Sequence, residues 1–427
     1  MPPIQDHPLR FQLSNELHAR PFPTLTTASR AVFLALKHRH VAGVDAVQAD
    51  IDHLIMLLDR YGAAHPQPGA THYFGKLGKH RLKWERHTEF VTFTLLVDGL
   101  SDRAFDAADF ALLPEDWLAA APGLRITSCL LRIEPQHDAG IIREKLSKWF
   151  VRESLAASSV LDSSGVIAGD FHIDESGHSR FALFIADGVG QGRIGRILQR
   201  LFEIETYKAN SMLGLAKSRE LGKRMGPLDF ELTQLMGQMQ TNGDDAVGQL
   251  DELLRISAEL EALQAKTSFR FGATGAYEAI VNQRIQALRE VPWEGRQTLA
   301  EFMMRRFDPA MRTVKATQAR LETMSERAVR ASQLLRTRVD VDRSAQNQKL
   351  LESMNKRADL QLRLQQTVEG LSVVAISYYA VSLASYLLYP LTGVTGTTKE
   401  LLSAGVTLPV VLIVWWMVRR IRGHSQE

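Results

Sequence analysis

Two uncharged runs near the C-terminus constrain this chain more than any other feature. From Leu371 to Leu391 there are 21 residues without a charge, and from Leu401 to Val418 there are 18 more, separated by nine residues, Thr392 to Glu400. As helices rising about 1.5 Å per residue they are roughly 31 Å and 27 Å long, enough to cross a hydrocarbon core of about 30 Å. The expectation is a two-helix hairpin through a lipid bilayer. Arg419, Arg420 and Arg422 follow the second run, whereas the connecting loop offers only Lys399 beside Glu400. The positive-inside rule then puts the loop outside and both termini in the cytoplasm. The first residues carry charges and no apolar stretch of signal-peptide type, so no secretory leader is expected.

The composition narrows the function classes. Lys and Arg number 51 against 48 Asp and Glu, a formal charge of +3, which is too small for a partner bound through counterion release; nucleic acid is not expected. One cysteine, Cys129, makes neither an internal disulfide nor a zinc cluster.

Residues 1–190 alternate strand-like and helix-like runs. Strands are expected at Arg30 to Lys37, Thr71 to Lys76, His80 to Arg86, Glu89 to Val97, Leu124 to Glu134, Ser158 to Asp162, Val166 to Ile173 and Ser179 to Asp187, with helices at Val44 to Tyr61, Pro114 to Ala121 and Ala139 to Glu153. Short glycine-containing turns between successive strands favour a mixed, largely antiparallel sheet covered by helices. Residues 191–340 read as helix, with expected breaks at Gly226-Pro227, Thr241 to Asp245, Phe271 to Gly275, Val291 to Gly295 and Asp308-Pro309. Within them Val314, Thr317, Leu321, Met324, Ala328, Ala331 and Leu335 keep the 3-4 spacing of a coiled-coil seam. Residues 341–370 form a polar stalk helix leading into the first apolar run (371–391). The outer loop (392–400), second run (401–418) and basic tail (419–427) complete an α+β membrane protein.

Several local patterns carry chemistry. Gly190, Gly192 and Gly195 spell GxGxxG after a strand and before a helix, where backbone N–H groups can face a bound anion. The long helix that follows, with no second parallel strand, makes a plain glycine-rich turn the preferred reading. Twelve of the thirteen histidines fall in the first 178 residues. His172, Asp174 and His178 flank one hairpin at a spacing compatible with a divalent cation, and His38 and His40 share a strand face, yet neither set supplies three convergent ligands locally. No other cofactor is indicated. Glu85, His87 and Glu89 alternate as an acid-base cluster or, more plainly, as a solvated face. No nucleophile elbow is present, and no enzyme class is indicated.

In the first apolar run Tyr378, Ser382, Ser385 and Tyr389 fall within about 60° on a helical wheel at 100° per residue. Such a hydroxyl stripe either packs against another helix or lines a polar path between copies, with Thr392, Gly393 and Gly396 at its outer mouth.

Three segments, Asn15 to Pro23 (NELHARPFP), Lys83 to Phe90 (KWERHTEF) and Gln199 to Tyr207 (QRLFEIETY), resemble together a bacterial family of membrane-anchored proteins about this long, defined only as a domain of unknown function. The resemblance implies a bacterial inner-membrane protein and brings no activity. In layout the chain is also similar to CorA-type divalent-cation transporters, without their Gly-Met-Asn signature; here Tyr389-Pro-Leu-Thr-Gly-Val-Thr-Gly396 follows the first span. That layout implies a homo-oligomeric ion channel with a cytoplasmic sensor domain. The alternative is a membrane-tethered scaffold or signalling protein that binds a cytoplasmic protein partner and transports nothing.

Overall fold

The structure, a computed structural model, describes residues 4–16, 22–38, 44–136, 138–241, 245–388, 390 and 398–424. The chain folds as two units, Met1–Asn242 with Asp251–Ala331, and Gly243–Leu250 with Ser332–Glu427.

The first unit is built on a nine-stranded mixed sheet. After a short helix α1 (Arg10–Glu16), strand β1 (Ser29–His38) leads to helix α2 (Val44–Arg60). Strands β2 (His72–Leu77), β3 (His80–Arg86) and β4 (Phe90–Asp98) then form an antiparallel meander. A 3-10 turn (Ala107–Leu112) and helix α3 (Glu115–Ala119) precede β5 (Gly123–Pro135) and helix α4 (Ala139–Trp149). Strands β6 (Ala156–Val160), β7 (Gly165–Ile173) and β8 (Ser179–Ile185) complete the strand-rich half. The order is β2-β3-β4-β1-β5-β8-β7-β6-β9, where β9 is Val291–Pro292. The pairing of β5 with β8 is parallel and the rest are antiparallel, so the mixed, largely antiparallel sheet is as expected.

Period-2 alternation distributes side chains to two faces of this sheet. From β1, Val32, Leu34 and Leu36 enter a core with Leu54, Leu57 and Leu58 of α2 and Trp117 of α3. Their neighbour Phe33 points the other way and stacks on Phe202 of helix α5 (Gln191–Thr241), ring centroids 4.4 Å apart. Helix α4 covers the far half of the first face through Ile142 and Leu146 against Val166, Ala168 and Phe184. Because β1 and β4 lie mid-sheet, their residues are buried on both faces, as a central strand requires.

Helix α5, helix α6 (Ala246–Leu288) and helix α7 (Leu299–Leu388) make up the helical part. Two expected breaks are real: α5 ends at Thr241, and β9 separates α6 from α7. Three others are not. Pro227 lies inside α5, Pro309 inside α7, and α6 runs unbroken through Phe271 to Gly275. An internal proline costs a helix roughly 3 kcal/mol. Buried Met225, Leu228 and Leu232 around Pro227, and Phe307, Met311 and Val314 around Pro309, supply apolar burial of comparable size. The boundary expected at residue 190 is a change of secondary structure within one unit, because α5 is packed on the sheet. The seam residues Val314, Leu321, Met324 and Ala328 are buried inside this unit, so the 3-4 spacing is used within one chain. Asp229 of α5 accepts from both Arg320 (2.7 Å) and Arg327 (3.1 Å) of α7, and Arg255 of α6 pairs with Glu231 of α5 at 2.6 Å.

In the second unit α7 runs on through the polar stretch and into the first apolar run, and helix α8 (Lys399–His424) carries the second. Within α7 an 18-residue stretch reaches a mean hydropathy of 1.7, and Glu400–Arg420 reaches 2.2, each with 6% of its residues buried. Both helices are long and apolar enough to cross a membrane.

Candidate functional site

Helix α5 lies over the sheet face that carries every second residue of β3 and β4. Lys83 and Glu85 of β3 and Thr92 and Thr94 of β4 therefore face α5 across a narrow cavity of about 30 Å³, room for about one water molecule. Lys83 pairs with Glu85 at 3.1 Å and donates to Gln199 Oε1 of α5 at 2.7 Å. Gln199 donates to Glu203 at 2.9 Å, and Glu203 pairs with Arg284 of α6. One polar chain thus ties sheet, α5 and α6 together.

His87, Phe90 and Tyr207 also line a second cleft of about 500 Å³, within the size range of small-molecule sites. Tyr277 of α6 closes one side, its ring 5.4 Å from that of Tyr207. Its hydroxyl donates to Glu89 Oε2 at 3.0 Å. Glu89 also receives Lys37 Nζ at 3.1 Å and both terminal nitrogens of Arg270. Burial pushes the Glu89 carboxyl up, but the bonds from Arg270 and the charge of Lys37 outweigh it and hold the pKa below the ordinary carboxylate value. Burial lowers the Lys37 pKa, and burial followed by the Glu89 charge raises that of Tyr277, so the phenol stays a donor. Two cations on one carboxylate leave this wall with an excess of positive charge.

His38, at the end of β1, and Arg86, at the end of β3, also line the cleft. His38 Nε2 lies 2.7 Å from Asp50 Oδ2 of α2, with 7% of the His38 side chain and 1% of that of Asp50 exposed. His38 Nδ1 and Arg86 Nη1 are buried and have no hydrogen-bond partner.

Glu85 and Glu89 do not share a strand, because residues 87–89 form the turn between β3 and β4, closed by His87 N donating to Phe90 O at 2.8 Å. Glu85 therefore faces Lys83, and Glu89 faces Arg270. The His172, Asp174 and His178 side chains go separate ways: His172 is exposed, Asp174 accepts from Ser176 and from His178 N within the turn, and His178 Nδ1 is 2.9 Å from Ser128 Oγ. Burial, with Arg125 nearby, keeps His178 below the ordinary imidazole pKa. Among the described residues no group of three His, Cys, Asp or Glu is placed to hold a metal ion. Cys129 is buried, and burial raises its thiol pKa, which makes it a packing residue.

In the GxGxxG turn, a Cβ on Gly190 or Gly192 would meet nothing within 4 Å, whereas one on Gly195 would fall 1.5 Å from the carbonyl oxygen of Pro23. Gly195 thus serves the passage of the N-terminal segment over α5, where Leu25 N also donates to Gln191 O. In the apolar helices Ser385 Oγ lies 3.2 Å from Ser403 Oγ of α8, Ser382 is half-buried, and Tyr378 is 70% exposed. Tyr389, Thr392, Gly393, Gly396 and His40 lie outside the described residues.

Sequence reading missed Lys37, Asp50, Arg86, Arg270 and Tyr277. Two signals pointed here: the Glu85, His87 and Glu89 set, and the three quoted segments, in which Pro23 lines the narrow cavity, Lys83 to Phe90 form its strand edge and the turn, and Gln199 to Tyr207 form its helical wall. No curated protein matches this chain. The family model described as protein of unknown function (DUF3422) matches residues 5–425, and the chain belongs to that family.

Proposed function

We propose that this is a bacterial inner-membrane protein whose two apolar helices form a hairpin anchor, with both termini cytoplasmic, and whose sheet-containing unit acts as a tethered binding and signalling module. The observation that carries this reading is the Ser385 to Ser403 contact: the hydroxyl at the middle of the stripe is used between the two helices of one hairpin. A hydroxyl bonded within its own hairpin supports helix packing over the lining of a path between copies.

A second reading, a homo-oligomeric channel of CorA-like layout, is favoured by Tyr378, which belongs to the same stripe and stays 70% exposed. Flux of divalent cations into liposomes carrying the purified protein separates the two. The tethered module gives flux indistinguishable from empty liposomes. Flux that is abolished by Ser382→Leu with Ser385→Leu establishes the channel instead.

A further inference from the structure

We infer that the 500 Å³ cleft between the β3–β4 turn and helices α5 and α6 is a binding site for a small aromatic anion, a ring bearing a phosphate or carboxylate, with Arg86 and His38 holding the anionic group. This rests on reading the sheet-containing unit as the binding part of the protein and is independent of whether the hairpin conducts.

Four observations converge. First, a buried polar nitrogen without a partner costs roughly 1–3 kcal/mol, and native proteins carry few of them. His38 Nδ1 and Arg86 Nη1 are both in that state, and both side chains line the same cleft. Second, their chemistry is that of an anion site. A guanidinium is an obligate donor that favours carboxylate and phosphate. In His38 the Asp50 carboxylate accepts from Nε2–H and fixes the ring, so Nδ1 is the nitrogen left for a ligand: it accepts from a protonated oxygen of the anionic group when the ring is neutral and donates when the ring carries a second proton.

Third, the local charge has the right sign. Within the wall behind Tyr277 the carboxylate of Glu89 is shared by Lys37 and Arg270, and the Asp50 carboxylate is engaged by His38. Asp50 Oδ1 is buried without a hydrogen-bond partner, but the cations Arg86, Lys37 and Arg270 outnumber the carboxylates Glu89 and Asp50, so these groups together carry a positive charge beside the cleft. Fourth, the remaining wall is aromatic. Phe90, Tyr207 and Tyr277 have centroids 5.4 to 6.3 Å from one another; Phe90 is buried beneath the cleft with His87 stacked on it, and the half-buried Tyr207 and Tyr277 are the rings available to a planar guest.

The test is isothermal titration of the full-length protein in detergent with phenyl phosphate, benzoate, inorganic phosphate and tyramine. Phenyl phosphate or benzoate binds, and the stronger of the two identifies the anionic group. Inorganic phosphate binds at least tenfold more weakly than phenyl phosphate, and tyramine, an aromatic cation, does not bind. Arg86→Gln and His38→Gln each weaken the preferred probe at least tenfold. A measurement on the unaltered protein covers variants that misfold: labelling by an arginine-selective dicarbonyl, read by peptide mass spectrometry, is suppressed at Arg86 by the bound probe. Absence of binding by both aromatic anions, tyramine binding as well as they do, or Arg86 labelled at the same rate with and without a saturating probe overturns the inference. None of these outcomes touches the flux result, so failure of this site and failure of the tethered-module reading are told apart.

Discussion

His53 of α2 stacks on Trp117 with ring centroids 4.1 Å apart, and neither ring nitrogen has a hydrogen-bond partner. Burial drives its pKa down from the ordinary 6.5 to about 4, against a smaller opposing pull from Asp50. The folded state therefore holds the ring neutral while the unfolded state takes up a proton below about pH 6.5. This contribution to stability is fully present above pH 6.5 and lost as pH falls toward 4. At 1.36 kcal/mol per unit the loss is at most roughly 3 kcal/mol. Urea unfolding at pH 7.5 and 4.5 measures it, and His53→Phe, which keeps the stack, removes that part of the acid sensitivity; identical pH slopes for both proteins rule His53 out as the source. Gly195 presents a steric case: with the Pro23 carbonyl oxygen 1.5 Å from a built Cβ, Gly195→Ala lowers stability by about 3 kcal/mol or more, since backbone must move to admit the methyl group. Gly192→Ala, with open space around it, changes stability by less than about 0.5 kcal/mol in the same thermal melts, because surface changes away from special features are small.

At the scale of elements, the three long helices of the first unit are held by two kinds of contact whose sizes differ. Leu321 of α7 is 2% exposed, and Leu321→Ala costs roughly 2–5 kcal/mol. The adjacent Arg320 pairs with Asp229 at 2.7 Å, but its side chain is 54% exposed, so Arg320→Ala costs under about 1 kcal/mol. Denaturant midpoints of the two variants check the ranking, and an equal loss contradicts it. The same inequality explains why Pro227 and Pro309 fail to end their helices: apolar burial over several turns outweighs one missing hydrogen bond. Local breaker rules read residue type, and the burial that overrides them is set by partners far away in sequence.

For the whole molecule, the two apolar helices make a membrane prediction. Alkaline carbonate leaves the unaltered chain in the membrane pellet. Placing arginine at Leu383 and Ile413, which are 63% and 62% exposed, costs roughly 2.5–3.5 kcal/mol each at the bilayer centre and shifts the chain toward the soluble fraction. Unchanged retention of the double variant contradicts insertion of the hairpin.

The sequence by itself determined the two long apolar helices, the strand-rich first half and the helical second half, because these depend on run length and on periods of 2 and 3.6 that covalent geometry imposes locally. Strand β3 coincides with its expected span and β8 starts where expected, and the largely antiparallel sheet follows from the short turns between strands. Only the tertiary structure decided what meets what. Glu89 and Arg270 are 181 positions apart, and Lys83 and Gln199 are 116 apart; they meet because sheet order and the path of α5 and α6 bring one face of β3 and β4 against two helices. Nothing local in either residue of such a pair encodes its partner. The cleft, the Asp50 to His38 pair and the need for glycine at 195 are all consequences of that packing, which is why the segments bordering the cleft could be singled out in the sequence while their common purpose in the fold could not.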